Sequence, residues 1–262
     1  MRSTAVSSLL AGRVALIVGG ARGLGRAIAD QYASEGASIA IADLDQAAAE
    51  SARDAIAPQG FATRVDVADP ASSRALVDAV VARFGRLDIL VNCAAICLVD
   101  PLLEVTPERW DRVFGVNARG AFFCMQHAAR VMSANRFGRI INISTPASRM
   151  GFPLFASYGA SKAAVDSMTR AAAIAWAPHG ITVNTIVPGR MTGGMIDALE
   201  ADLQQVTGKP AAELAADRTK GLPMGRRVDP VEVAKAAVWL ASDAAAYVTA
   251  ERFNFTGGME LA

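Results

Sequence analysis

Tyr158 and Lys162 stand one helical turn apart, and at i and i+4 their side chains share one face of a helix. A free tyrosine has a pKa of about 10. A neighbouring ammonium favours the phenolate and lowers that value, which makes the phenol a usable general acid or base near neutral pH. Just upstream, Asn142-Ile143-Ser144-Thr145 closes an apolar run, so a Thr145 hydroxyl is placed to hold a substrate oxygen. A Tyr near a Lys is common on any surface. What makes this pair informative is its position after a strand that ends in Ser and Thr.

A second group of residues suits a phosphate. Val14-Ala15-Leu16-Ile17-Val18 reads as a buried strand, and a helical pattern runs from about Leu24 to Ser34. Between them lie Gly19, Arg22, Gly23, Leu24 and Gly25, with glycines in GxxxGxG spacing. A strand, a glycine turn and a helix N-terminus let the backbone approach a pyrophosphate. Asp43 ends the next apolar run, eighteen residues past Gly25. An acid there accepts hydrogen bonds from ribose hydroxyls and repels a 2′-phosphate, which favours NAD over NADP. Arg22 cuts the other way, since a base in the turn suits a 2′-phosphate. Asn92-Cys93-Ala94-Ala95 offers small residues at a strand end, and Asp66-Val67 is placed to meet an adenine.

Positioning these groups requires a sheet. Strand-like runs fall near 13–18, 37–43, 61–65, 87–92, 138–143, 181–187 and 252–256. Helical patterns fall near 23–35, 45–57, 70–84, 106–133, 157–177, 191–206 and 229–241. Continuous apolar strands between helices predict one α/β domain over 1–262, a doubly wound parallel sheet covered on both faces. Ligands in such sheets bind beyond the carboxyl ends of the strands. Residues 190–228 mix helix and turn signals and read as a substrate lid.

Composition narrows the function. The chain has 262 residues, 52% hydrophobic, with a net charge of +1, and nothing in it suggests a nucleic-acid patch or a polybasic anchor. No stretch approaches the roughly 20 apolar residues of a membrane span. Met1 to Ala11 mimics a signal peptide only faintly and is read as a short end before the first strand. Cys93, Cys97 and Cys124 lack paired-ligand spacing and read as buried thiols in a reducing cytoplasm. His127 and His179 have no acidic neighbours at ligand spacing, so no metal site is expected.

At these residues the chain resembles the short-chain dehydrogenase/reductase family, from about Gly12 to Gly258. The carriers are Gly19-xxx-Gly23-x-Gly25, Asp66-Val67, Asn92-Cys93-Ala94-Ala95, Asn117, Asn142-Ile143-Ser144-Thr145, Tyr158-Gly-Ala-Ser-Lys162 and Pro188-Gly189. The resemblance implies a seven-stranded parallel Rossmann-type sheet, an NAD(P) cofactor and hydride transfer to or from a carbonyl. It implies homotetramers, or dimers, built on the long helices near 106–133 and 157–177. It makes Tyr158 the acid/base and gives Lys162 the nicotinamide ribose. Asn117 holds a water of the proton relay, and Thr145, thirteen residues before Tyr158, holds the substrate oxygen. Pro188, Gly189, Met191 and Thr192 are the expected contacts to the nicotinamide.

The chain departs from the family pattern in several places. Thr145 replaces the usual Ser, with Ser144 and Ser148 as alternative hydroxyls. Val18 replaces a Thr, Cys93 and Ala95 replace Asn and Gly, and Thr192 comes one residue early. Asp43-Leu44-Asp45 and the C-terminal segment resemble polyol dehydrogenases of the family. The expected reaction is NAD-dependent interconversion of a secondary alcohol, polyol or sugar with its ketone. A 3-oxoacyl or xenobiotic carbonyl reductase and a nucleotide-binding scaffold are the alternatives. Arg149, Met150, Phe152, Phe155, Arg190 and Met195 are the expected pocket wall.

Overall fold

The computed structural model describes residues 8–193 and 195–261. Seven strands form one sheet: β1 (Val14–Val18), β2 (Ser38–Asp43), β3 (Phe61–Arg64), β4 (Ile89–Asn92), β5 (Gly138–Ile143), β6 (Ile181–Pro188) and β7 (Arg252–Phe255). Their order is β3-β2-β1-β4-β5-β6-β7, and every pairing is parallel. The helices between them are α1 (Gly23–Ser34), α2 (Gln46–Ile56), α3 (Pro70–Phe84), α4 (Pro107–Phe114), α5 (Ala121–Asn135), α6 (Ala156–Trp176), α7 (Met195–Thr207), α8 (Ala211–Thr219) and α9 (Pro230–Ala241).

The reason is the one the sequence suggests. β1 is buried at all five positions and is apolar throughout; β5 and β6 are buried at every position too, although Arg139, Asn142, Thr182, Asn184 and Thr185 lie within them. One core layer packs Ile17, Ile28, Tyr32, Ile39 and Ala237 against α1 and α9. The other packs Leu16, Leu90, Met125, Met132 and Val183 against α3, α5 and α6. Each such aliphatic side chain contributes about 1.5–3 kcal/mol by leaving water. Tyr32 shows how the core treats a polar atom: its ring is fully buried and its hydroxyl donates to the Ala237 carbonyl at 3.0 Å. Residues 1–7 of the expected ragged end lie outside the described residues. Leu10 beyond them is fully buried, and the Leu10 amide donates to Glu35.

Two expectations change. The helix expected over 106–133 is split: α4 and α5 flank a π-helical turn at Gly115–Gly120. Gly120 lies so close to β3's exit that a Cβ would stand 2.8 Å from the Val67 carbonyl, and Asn117 bonds away from the helix. Single π turns inside helices recur at functional sites. The excursion over 190–228 holds two helices, α7 and α8, where one was expected. Gly208, at φ +70°, breaks them apart, and Lys209 pairs with Glu213 and Asp217 on the second. A bridge between Met191 and Val228 closes the base of the excursion.

Register brings the strand ends level. Val18 pairs with Ala42 and with Asn92, and Asn92 pairs with Asn142. The residues that follow, Gly19, Cys93 and Ile143, therefore emerge along one line at the top of the sheet.

Candidate active site

A cavity of about 840 Å³ opens along that line. Gly19, Arg22, Gly23, Leu24, Asp43, Asp66 and Val67 line one end; Ala94, Thr145, Tyr158 and Lys162 the middle; Pro188, Gly189, Met191 and Thr192 the far side. Five predicted positions stand apart. Gly25 packs α1 onto the turn, where a Cβ would overlap the Gly19 carbonyl. Asn92 is buried; its amide donates to Asn142 Oδ1 at 2.8 Å, and Asn142 donates to Thr169 at 2.8 Å. It ties β4 to β5 and has no place in the cavity wall. Asn117 sits behind the wall, and Arg149 and Met150 lie outside it, whereas Phe152, Phe155, Arg190 and Met195 line it.

The glycine turn has the shape of a cradle. Gly19 holds φ +78°, and a Cβ there would stand 2.6 Å from the Ala94 amide nitrogen. No other residue meets both conditions. Asp43 caps this end. Its Oδ2 accepts from the Ala21 amide at 3.2 Å and its Oδ1 from the Asp45 amide at 3.3 Å. Arg22 points to neighbouring Asp45, with Nη2 2.5 Å from Oδ2. The Ala48 amide, and then that bond, hold the Asp45 carboxyl below its ordinary pKa. The base that suited a 2′-phosphate is thus engaged by an acid. A nicotinamide dinucleotide fits this set: a close-approach turn for pyrophosphate and an acid for ribose hydroxyls.

The middle of the cleft holds the titratable groups. The Tyr158 ring keeps partial exposure through the open cleft, but its hydroxyl lies deep among protein atoms. That desolvation drives its pKa upward, and a hydrogen bond with Thr145 only partly opposes it. Lys162 is buried, with Nζ donating to the Ile143 carbonyl at 2.7 Å. Burial lowers its pKa to about 8, against the raising influence of Cys93, Asp166 and Cys97. The lowered tyrosine pKa expected from the sequence is not found here: burial dominates both groups and drives the phenol upward.

Thr145 caps the short turn Pro146–Ser148, and its hydroxyl accepts from the Ala147 amide at 3.4 Å. Ser148 is committed elsewhere, with Oγ 2.7 Å from Asp166 Oδ2. Ser144 lines the cavity and its buried Oγ has no hydrogen-bond partner among the described residues, so it is the alternative hydroxyl that stays open.

Asn117 fixes the loop opposite. Its Oδ1 accepts from the Ile96 amide and its Nδ2 donates to the Ile96 carbonyl, both at 2.9 Å, and to Ser161 Oγ at 3.0 Å. Ile96 and Cys97 on that loop line the cavity. Cys93 and Cys97 are half-buried in the wall and, of the three, Cys124 alone is fully buried, a correction to the expectation of three buried thiols. Burial pushes the Cys93 thiol up to about 11, so it is no thiolate.

Further contributors had no role assigned from the sequence. Gly159 brings α6 so near the Thr145 turn that a Cβ would stand 2.6 Å from the Ala147 carbonyl; a glycine inside a helical pattern was the available signal. Leu199, Leu203 and Leu214 of the excursion, with Met259 of the tail, close the substrate end. Turn-rich sequence hid the first three.

Among the described residues, no helix is long and apolar enough to cross a membrane. No group of three or more His, Cys, Asp or Glu there could hold a metal ion.

Comparison with known proteins agrees with this geometry. A family profile described as enoyl-(acyl carrier protein) reductase matches residues 19–260. Galactitol 2-dehydrogenase of Agrobacterium fabrum is 42% identical over 247 residues, 94% of this chain and 96% of the relative. Sorbitol dehydrogenase of Cereibacter sphaeroides is 40% identical over 250 residues, 95% of this chain and 98% of the relative. The crystal structure of levodione reductase superposes with a TM-score of 0.91 at 30% identity, covering 97% of this chain and 99% of that one. The chain belongs to the short-chain dehydrogenase/reductase family. It is an oxidoreductase that interconverts an alcohol carbon and a carbonyl with a nicotinamide cofactor.

Proposed function

We propose that the protein is an NAD-dependent dehydrogenase of secondary alcohols, with vicinal diols and polyols as its substrate class. The observation that carries this reading is one cleft with Asp43 at one end and the Thr145–Tyr158 hydrogen bond above buried Lys162 in its middle. Relatives named galactitol 2-dehydrogenase, sorbitol dehydrogenase and L-2,3-butanediol dehydrogenase support the substrate class.

Gly19, Gly23 and the α1 N-terminus would hold the pyrophosphate, Asp43 the adenosine ribose, and Lys162 the nicotinamide ribose. The nicotinamide supplies the hydride donor or acceptor. Thr145 donates to the substrate oxygen and fixes the carbinol carbon. In reduction Tyr158 gives its proton to that oxygen as the carbon gains hydride. In oxidation the phenolate takes the hydroxyl proton as the carbon loses hydride. Lys162, ammonium below about pH 8, stabilises the phenolate when it forms. Asn117 acts by holding the Ile96 loop, and a water beside it would carry the proton onward.

A second reading has its own support. Phe152, Phe155, Leu199, Leu203 and Leu214 make the substrate end apolar, which suits a ketone with a hydrophobic arm. Association into a homotetramer or dimer is supported by the groove that Phe114, Ala118, Phe122 and Met168 form beside half-exposed Trp110. The test is initial rates on polyols, vicinal diols and apolar secondary alcohols, with NAD and NADP separately, and mass by light scattering. Turnover of diols with NAD supports the proposal. Preference for NADP overturns the cofactor assignment, preference for apolar substrates moves the class to the second reading, and no turnover leaves a nucleotide-binding scaffold.

A further inference from the structure

Arg252 is a buried cation that the chemistry above does not use. It rises from β7 beneath the catalytic turn. Its Nη2 lies 3.3 Å from the Thr145 carbonyl and 3.3 Å from Ser148 Oγ. Its Nε donates to Asp166 Oδ2 at 3.3 Å. The opposite edge of the guanidinium meets Glu260 in a two-point pair, Nη1 to Oε2 at 2.8 Å and Nη2 to Oε1 at 2.6 Å. Ser148 Oγ closes the ring, 2.9 Å from the Thr145 carbonyl and 2.7 Å from Asp166 Oδ2.

The three charged side chains expose only 9%, 8% and 7% of their surface. Buried ion pairs of this kind are ones that apolar side chains of similar size often match or better for stability. What apolar side chains cannot reproduce is the geometry. A planar fork with five N–H donors fixes several acceptors at once. Here those acceptors belong to parts of the chain that approach each other only in the folded state. One is the turn that carries the Thr145 hydroxyl. Another is α6, where Asp166 lies one turn beyond Lys162 and raises its pKa against burial. The third is the C-terminal tail, where Met259, next to Glu260, lines the cavity.

We propose that Arg252 is a positioning residue for the reaction: it holds the Thr145 turn against α6 through Ser148 and Asp166, and it holds the C-terminal tail, through Glu260, as a wall of the substrate end. Thr145 and Met259 are then placed by one side chain, so alignment of the substrate oxygen and closure of the pocket are coupled. The kinetic part of this inference rests on the dehydrogenase reading above.

The test uses the full-length protein and the variants R252M, R252K and E260Q. Amide hydrogen exchange, NAD dissociation constants, and kcat and KM for whichever alcohol the wild type oxidises are measured on each. In R252M, exchange over 144–150 and over 256–261 should speed up together by about tenfold or more, a local opening. Its kcat/KM should fall roughly 10- to 100-fold, the scale of a misplaced reacting group. NAD affinity should stay within about twofold, because Asp43 and Gly19 are untouched. R252K restores the charge without the fork and should recover part of both losses. E260Q should loosen only the tail and raise KM more than it lowers kcat. Unchanged exchange over 144–150 in R252M overturns the proposal. So does a loss of NAD affinity in step with kcat/KM, which marks general unfolding. If the wild type oxidises no alcohol, the dehydrogenase reading fails, while the exchange measurements still decide whether Arg252 joins the two segments.

Discussion

At the scale of residues, the site turns on which hydroxyl meets the substrate and which proton moves. Thr145 has the hydrogen bond to Tyr158, and Ser148 is held in the Arg252 network. Thr145→Ser removes a methyl and frees the rotamer, so it should stay active and admit bulkier substrates. Thr145→Val keeps the shape without a donor, and its kcat should fall by roughly 10²–10³-fold. Ser144→Ala, losing only an unpartnered hydroxyl, should be milder. A dead Ser144→Ala beside an active Thr145→Val would transfer the role to Ser144. Tyr158 is pushed up by burial, so at neutral pH it holds its proton. Reduction uses that form; oxidation needs the phenolate. The kcat/KM for oxidation should therefore climb with pH through the neutral range while that for reduction does not. Tyr158→Phe should lower kcat both ways by roughly 10²–10⁴-fold with NAD affinity unchanged. A flat oxidation profile, or turnover near wild type in Tyr158→Phe, removes Tyr158 from this role.

At the scale of elements, the sequence was legible where burial is two-sided and illegible where contacts are distant. β1 reads as a continuous apolar run, and β5 and β6 as largely apolar ones, because helices cover both faces of the sheet. Asp69 and Asp229 cap α3 and α9 with Pro at the first positions, a local signal that reads cleanly. The Tyr158–Lys162 spacing was local too, and so was the glycine turn. The Arg252 network was hidden because its partner Thr145 lies 107 residues away. The burial that reverses the expected tyrosine shift was hidden as well, since no spacing reports depth. Gly159 marks the boundary between the two cases. By helix propensity alone, Gly159→Ala should stabilise α6 by about 1 kcal/mol. Packing says the opposite, because the new methyl would meet the Ala147 carbonyl, which is backbone and cannot swing aside. Gly159→Ala should therefore melt lower than wild type and lose turnover, while NAD binding at the distant Asp43 end is retained. A variant that melts higher with full activity would show that α6 has room to shift.

At the scale of the whole molecule, the site opposes the fold that holds it. Lys162 is a cation 3% exposed, its Nζ donating to the Ile143 carbonyl. Its folded pKa of about 8 lies below the value of about 10.4 in an unfolded chain, a difference worth on the order of 3 kcal/mol. The sign follows from proton counts. Below about pH 8 both states carry the proton, and the folded state bears the full penalty. Between about pH 8 and about 10.4 the unfolded chain binds more protons, so raising the pH relieves the penalty and stability from this group increases. Lys162→Met retains the aliphatic length and removes the charge. Near neutral pH it should melt above the wild type by several degrees, and its turnover should be lost. The gap should narrow as pH rises past about 8, because the wild-type lysine then sheds its proton on folding and the methionine has none to shed. Thermal melts of the two proteins across that range, each paired with an activity measurement, decide the matter. A Lys162→Met protein that melts below wild type at neutral pH, or a gap that does not change with pH, would mean that the ammonium stabilises the fold as well as the reaction.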